Sequence, residues 1–323
     1  MPFIAQIIKK NINIPCQVVF AKKQDEFYFK VSKNADVIIT MSWGKSMWSG
    51  KKKDLKVPHT EKLKLIHVPG AGYDGINFEK LPKDCKVCNV YEHEMPIAEF
   101  CIASMLNWEI NLIEKVNKFK KLDWSDGTFF SGATHGELFN KTVGILGYGK
   151  IGKEIAKRLK PFSSKIVAFT RVKRTKEKFL DETFTSKSLS KQIKNLDYLI
   201  LACPLNKNTA NIINKSNLKN MKKTAVIINI ARGGVINEED LFNYLKAKKI
   251  GGAIIDTWFR YPGPEEKKGF MPSKFSFHNL RNVVMTPHIS GWTKNMVNRR
   301  CKVMIKNIEN LYNKKRLVNL IED

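Results

Sequence analysis

The feature that most constrains this chain is a short apolar run, Lys-Thr-Val-Gly-Ile-Leu, leading without interruption into Gly147-Tyr148-Gly149-Lys150-Ile151-Gly152. A lone G-x-G-x-x-G says little. Here a strand-like run precedes it, and Ile151, Ile155, Ala156, Leu159 and Phe162 follow at helical spacing. Gly147 permits the tight turn between the two elements. Gly149 lets the backbone approach a diphosphate with no Cβ in the way, and Gly152 lets the helix pack close to the strand. The first N–H groups of such a helix lack intrahelical partners and carry the positive end of its dipole. Strand, loop and helix together imply a parallel α/β sheet that holds a dinucleotide by its diphosphate.

The next apolar run, residues 165–170, ends at Thr170, followed by Arg171, Val172, Lys173 and Arg174. An Asp or Glu about 20 residues past the loop reads the ribose 2′-hydroxyl of NAD. Thr170 stands in that place, so no carboxylate repels a 2′-phosphate. Arg171 and its neighbours would hold one through charge-assisted hydrogen bonds. The expectation is NADP preferred over NAD. It remains open that Arg171 stacks on adenine and that both cofactors bind.

Around this motif, strands and helices alternate. Strand signals fall at 142–146, 165–170, 198–202, 225–230, 252–256 and 282–286, with helical patterns at 151–159, 188–194, 215–220 and 238–248. Upstream, residues 16–20, 35–41, 62–68 and 86–91 read as further strands. A densely apolar helix runs from Pro96 to about residue 121, covered on most sides. A last helix, 293–312, is expected to pack back on the first domain. At 323 residues with 43% apolar content, two packed domains are expected. The fold class is α/β: two Rossmann-like or flavodoxin-like domains with doubly wound parallel sheets. The dinucleotide-binding domain, 97–289, is inserted in a substrate domain made of 1–96 plus 290–323.

Lys and Arg number 57 against 30 Asp and Glu, a net charge of +27. Only nine of the 57 are Arg, the residue that forks onto phosphate, and the lysines are spread along the whole chain. They read as a solvated surface that steers a small anionic substrate, and no nucleic-acid partner is expected. No run approaches the roughly 20 apolar residues of a membrane span, so no membrane partner is expected. The start, MPFIAQIIKK, lacks a secretory layout. Six cysteines fit reduced, mostly buried thiols of a cytoplasmic protein. Cys85 and Cys88 form an isolated C-x-x-C with no second pair, and no metal is expected.

Further motifs fall in a fixed order: His67-Val-Pro-Gly70-Ala71-Gly72-Tyr73-Asp74, the phosphate loop, Cys203-Pro204-Leu205 with Thr209, Asn229-Ile230-Ala231-Arg232-Gly233-Gly234, Gly252-Ala-Ile-Ile-Asp256, and Thr286-Pro287-His288-Ile-Ser290-Gly291. In these the chain resembles the D-isomer-specific 2-hydroxyacid dehydrogenases over almost its whole length. The resemblance implies hydride transfer between a nicotinamide and C2 of a small 2-oxo or 2-hydroxy acid such as glyoxylate or hydroxypyruvate, in a homodimer. It implies that Arg232 binds the carboxylate and polarises the 2-oxo group, and that His288 is the acid/base. The amides of Gly70, Ala71 and Gly72 would take the substrate carboxylate. Cys203, Pro204, Thr209, Ile230, Ala231, Asp256 and Gly291 would line the cofactor beside the loop, Thr170 and Arg171. Asp256 is equally readable as a structural carboxylate at a strand end.

One position departs from the family. Five residues beyond Asp256, a Glu usually pairs with the catalytic His and raises its pKa; here Tyr261 stands there. Tyr261 is a third catalytic candidate, since it can orient an imidazole by hydrogen bonding, but it brings no charge at neutral pH. Glu265 or Glu266 could fold back to help. His288 should then lose its proton more readily than in relatives with the Glu. The departure also admits a formate or other small-oxyanion dehydrogenase, or a non-catalytic nucleotide sensor on the same fold. Residues near 41–48, Tyr73, 91–94 and Trp292 are candidates for the substrate pocket. Trp43, Trp48 and Trp292 read either as a bulky wall or as core and dimer residues.

Overall fold

The protein, seen in a computed structural model, is described at residues 2–22, 25–46, 54–130, 132, 134–172, 177–263, 266 and 268–321. The chain forms two compact units. One comprises Met1–Glu92, Tyr261–Phe270 and Trp292–Asp323, and the other His93–Arg260 and Met271–Gly291. The first unit opens with helices α1 (Pro2–Asn11) and α2 (Glu26–Ser32) and strands β1 (Val37–Ile39), β2 (Leu65–His67) and β3 (Lys86–Cys88), which pair in parallel. The strand expected at 16–20 does not form. Val19 and Phe20 stay exposed, and among the described residues β1 pairs only with β2. Branched residues favour a strand only where a neighbouring strand covers them.

The second unit runs α3 (Glu94–Ile110), α4 (Leu112–Phe119), β4 (Thr142–Leu146), α5 (Lys150–Leu159), β5 (Lys165–Thr170), β6 (Glu182–Thr185), α6 (Leu189–Gln192), β7 (Tyr198–Leu201), α7 (Lys215–Leu218), β8 (Val226–Asn229), α8 (Glu238–Lys246), β9 (Gly252–Ile255) and β10 (Val283–Met285). Its seven strands are all parallel, in the order β10-β9-β8-β7-β4-β5-β6. β7, β8 and β9 are buried at every position, as central parallel strands covered on both faces must be. β6 gave no sequence signal because it is the half-buried edge strand, Glu-Thr-Phe-Thr. The strand order reverses between β4 and β7, and ligands of open α/β sheets bind outside the strand ends at such a point.

The helix expected from 96 to about 121 is two helices. Asn111 breaks it in the left-handed region (φ 56°), a conformation Asn tolerates better than most residues. α3 is covered as expected, packing on α5 and burying Ile97, Ala98, Cys101 and Met105. α4 is not covered: Leu112, Ile113, Val116 and Phe119 are exposed, and Leu122, Trp124, Phe129 and Phe130 continue that apolar surface. Among the described residues no helix is long and apolar enough to cross a membrane.

The chain then returns to the first unit through α9 (Lys294–Tyr312), which packs on α1, and β11 (Leu320–Ile321), which pairs antiparallel with β3. Thr293 caps α9 by accepting the Met296 N–H, a favoured N-cap arrangement. Asn307 of α9 ties the returning segment down. Its amide oxygen accepts the Val318 N–H, and its nitrogen donates to the Val318 carbonyl and lies 3.0 Å from Nε2 of the buried His67. His67 Nδ1 is 3.2 Å from the Val68 carbonyl. One neutral tautomer satisfies both contacts, Nδ1–H donating and Nε2 accepting.

Burial pushes the His67 imidazole down to about 4. The folded state therefore favours the neutral ring. That stability is complete above the unfolded value near 6.5 and is lost as pH falls from there toward 4, a change of about 3 kcal/mol. His67→Gln preserves a donor and an acceptor but cannot titrate. Urea unfolding at pH 7.5 and pH 5 should show a larger loss on acidification in the wild type than in H67Q; equal losses would remove His67 as the cause.

Candidate active site

The phosphate loop lies where β4 meets α5. Gly147 has φ 99°, and a Cβ there would come within 2.8 Å of the Ala202 and Cys203 backbone at the end of β7. At Gly152 a Cβ would sit 2.4 Å from the Gly147 carbonyl oxygen. Above Gly149 there is nothing within 4 Å, and no side chain caps the helix that it opens. An open face over uncapped first-turn amides fits a diphosphate. Among the described residues, no group of three or more His, Cys, Asp or Glu is placed to hold a metal ion.

At the end of β5 the Thr170 hydroxyl donates to the Val172 carbonyl at 2.6 Å, and Arg171 is exposed. Lys173 and Arg174 lie outside the described residues. Beside the loop, the buried Cys203 thiol is pushed up to about 11 by burial and stays neutral. Thr209 Oγ1 donates to the Pro204 carbonyl and accepts the Asn206 N–H, closing the turn after β7.

Arg232, Asp256 and His288 follow the carboxyl ends of three neighbouring strands, β8, β9 and β10. The buried Asn229 holds the first turn: its oxygen accepts the Ala231 N–H and its nitrogen donates to the Arg232 carbonyl. Arg232 Nη1 donates to the Ala231 carbonyl at 2.8 Å; the guanidinium carries five donors in all. A Cβ at Gly233 would come within 2.4 Å of the Trp258 carbonyl oxygen, so the turns after β8 and β9 lie against each other.

The third turn is strained at the residue that matters. His288 adopts φ 60°, a conformation costing a non-glycine residue on the order of 1–3 kcal/mol. Asp256, wholly buried, holds it there. Its Oδ1 accepts the Thr286 hydroxyl (2.6 Å) and the Ile289 N–H (2.8 Å), and its Oδ2 accepts the Ser290 N–H (3.0 Å). Trp258 Nε1 donates to the Thr286 carbonyl at 2.8 Å. Of the two readings open for Asp256, these bonds support the structural carboxylate. Loss of hydration round the ring pushes His288 below its ordinary range; the Asp256 carboxylate opposes that, and Arg232, with a charge on His93, adds to it.

The remaining candidates belong to the first unit. The carbonyls of Pro69, Gly70 and Ala71 accept from Arg300, Val90 and Asn89, while the N–H groups of Gly70, Ala71 and Gly72 donate to nothing among the described residues. Such amides suit a carboxylate. Tyr261 is half-buried at the start of Tyr261–Phe270. Glu266 accepts the Gly263 N–H, and Glu265 lies outside the described residues. Trp43 is core, donating to the Lys80 carbonyl, and Trp292 is half-exposed against the edge of Phe3. Met47 and Trp48 lie outside the described residues. Asn229 and Trp258 were not named as site residues from the sequence, because their contribution is hydrogen bonding to backbone that only the folded turns bring near.

Residues 102–290 match the family model for the NAD-binding domain of D-isomer-specific 2-hydroxyacid dehydrogenases. The chain is 30% identical to a glyoxylate reductase of Pyrococcus horikoshii, over 82% of this chain and 76% of that protein. It is 33% identical to a hydroxypyruvate reductase of Thermotoga maritima, over 72% of each. Its fold is similar to that of a D-isomer-specific 2-hydroxyacid dehydrogenase family protein from Aeromonas salmonicida, with a TM-score of 0.81, 20% identity, and 99% of this chain and 96% of that chain covered. With half of the sequence matched by the family model and the glycine loop, Arg232, Asp256 and His288 set around one parallel sheet, the chain belongs to the D-isomer-specific 2-hydroxyacid dehydrogenases, oxidoreductases that act on the CH–OH group with NAD(P).

Proposed function

We propose that the chain reduces a small 2-oxo acid of the glyoxylate or hydroxypyruvate kind, with NADPH preferred over NADH. The observation that carries this reading is the placing of the Arg232 and His288 turns on either side of the Asp256 turn, after β8 and β10 that flank β9, in the sheet that bears the phosphate loop. The nicotinamide, when bound, supplies or accepts the hydride. Arg232 draws electron density from the 2-oxo group and holds the carboxylate, with the amides of Gly70, Ala71 and Gly72 as its further donors. His288 gives its proton to the oxygen as the hydride arrives and takes it back in the reverse direction. Cys203, Pro204, Thr209, Ile230, Ala231 and Gly291 are assigned to the cofactor's course, Asp256 to holding the His288 turn beside it, and Tyr261 to orienting the imidazole. The 2′-phosphate preference rests on Thr170 and the exposed Arg171. All six cysteines are unpaired, which supports the reducing cytoplasm as its compartment.

A panel of 2-oxo acids, with formate included, assayed by nicotinamide absorbance with NADPH and NADH in parallel, tests the reading. Turnover of glyoxylate or hydroxypyruvate is expected, with Arg232→Gln lowering kcat/KM by about 10²–10³-fold. Arg171→Asp should shift preference toward NADH; an unchanged cofactor ratio would take Arg171 out of the argument.

The pH dependence has a definite sign. Reduction needs protonated His288, whose pKa lies below its ordinary value. The kcat/KM for reduction should therefore fall as pH rises through a midpoint below about 6.5. Oxidation of the 2-hydroxy acid should rise over the same interval. A reduction midpoint above the ordinary histidine value contradicts the assignment.

A homodimer is proposed through the exposed apolar surface of α4 and its continuation to Phe130, because contiguous surfaces of this kind mark interfaces. In analytical ultracentrifugation, the double variant Phe129→Glu, Phe130→Glu should sediment as a monomer where the wild type sediments as a dimer. A wild-type monomer would end the proposal.

A further inference from the structure

His93, immediately ahead of α3, is a titratable group that the reaction above does not use. His93 and, one turn on in α3, Ile97 form a stripe that lies against the turn that carries His288. A Cβ built on Gly291 would lie 3.2 Å from the His93 Cβ and 3.4 Å from the Ile97 Cγ1, so the turn and these two side chains are in close contact. One turn further on, the buried Cys101 thiol is pushed up by its burial and by the charge of Asp256. His93 thus ends the stripe on the His288 side, near enough that a charge on one ring disfavours a charge on the other.

His93 has a carboxylate of its own. Glu94 Oε2 stands 3.6 Å from His93 Nδ1, with both side chains largely buried. Burial would raise the Glu94 carboxyl, but contact with His93 and the charge of Lys150 in the phosphate loop outweigh it, and the carboxyl lies below its ordinary value. An ionised carboxylate beside an imidazole favours the imidazolium. The charged groups facing the two rings are therefore Glu94 and Asp256 on the acidic side, and Arg232 and Lys150 on the basic side. No carboxylate takes the usual Glu place, which is Tyr261.

We propose that His93, backed by Glu94, is a positioning residue for the catalytic proton: the two imidazoles share one proton, and His93 restores it to His288 after each reduction. This rests on the oxidoreductase reading above. In the reductive direction the hydride carries an electron pair from the reduced nicotinamide to C2. The former carbonyl oxygen forms its O–H bond with the proton of His288. Neutral His288 then takes a proton from the His93 imidazolium, and His93 takes one from solvent, so each turnover consumes one proton.

Full-length protein carrying ¹³C-labelled histidine gives one ring signal for each of its six histidines, assignable by substitution. His93→Gln should raise the His288 titration midpoint by on the order of one pH unit, since a like charge has been removed. An unmoved midpoint overturns the proposal. His93→Asn serves as a second neutral replacement if H93Q does not fold. In turnover, H93Q should lower kcat for reduction by about tenfold or more with KM for the 2-oxo acid little changed, and His93→Ala should regain rate when imidazole is added to the buffer. An unchanged kcat and pH profile in H93Q also overturns it. If the wild type reduces no 2-oxo acid, the functional reading falls on that result alone, while the titration still decides whether the rings share a proton.

Discussion

Everything the candidate site does depends on how one buried carboxylate is satisfied. Asp256 is wholly enclosed and accepts three donors, all from the turn that carries His288. A buried charge without such partners would cost several kcal/mol. With them it becomes a fixed point. The turn cannot relax its left-handed residue without leaving that carboxylate exposed to an apolar interior. Strain at His288 is thus held in place by solvation energy at Asp256, and the imidazole is aimed by backbone rather than by its own rotamer alone.

The three turns after β8, β9 and β10 form a connected series. Asn229 shapes the Arg232 turn, Gly233 lets that turn lie against Trp258, and Trp258 in turn holds the Thr286 carbonyl. A guanidinium, a carboxylate and an imidazole are so fixed at three neighbouring strand ends of a parallel sheet, where strand spacing sets their separation. The electrostatics follow from that packing. Arg232 and lost hydration favour a neutral ring at His288, and Asp256 favours a charged one. The balance tilts toward the neutral form in a chain whose fifth residue after Asp256 is Tyr261.

The central parallel strands were legible in the sequence because they are buried on both faces and so read as unbroken apolar runs. β4, β5, β7, β8 and β9 fall within one residue of their expected limits at each end, as does the half-buried edge strand β10, Val-Val-Met. The glycine loop was legible because each of its three glycines answers a different steric demand. Elements whose identity depends on neighbours were not. Residues 16–20 have strand composition but no strand beside them, and β6 has edge composition with too few apolar residues to stand out. The break at Asn111 turns on one residue's tolerance of a left-handed backbone, which helical periodicity does not register. Arg232 and His288 were readable from motifs, whereas the placing of His93 beside Gly291 depends on a helix-to-turn contact far apart in sequence.

The first unit is assembled from separated stretches of chain, and its sheet is finished only by β11, whose pairing with β3 is reinforced where Asn307 grips Val318 beside His67. The second unit has its whole seven-stranded sheet in hand once β10 has been synthesised. As the polypeptide emerges from the ribosome, the nucleotide-binding half therefore has all its strands before the other half can close. Early strands β1 to β3 must wait, with one sheet edge unpaired, through more than two hundred residues of synthesis. The brevity of those strands, three residues each, limits how much sticky edge is on offer during that interval.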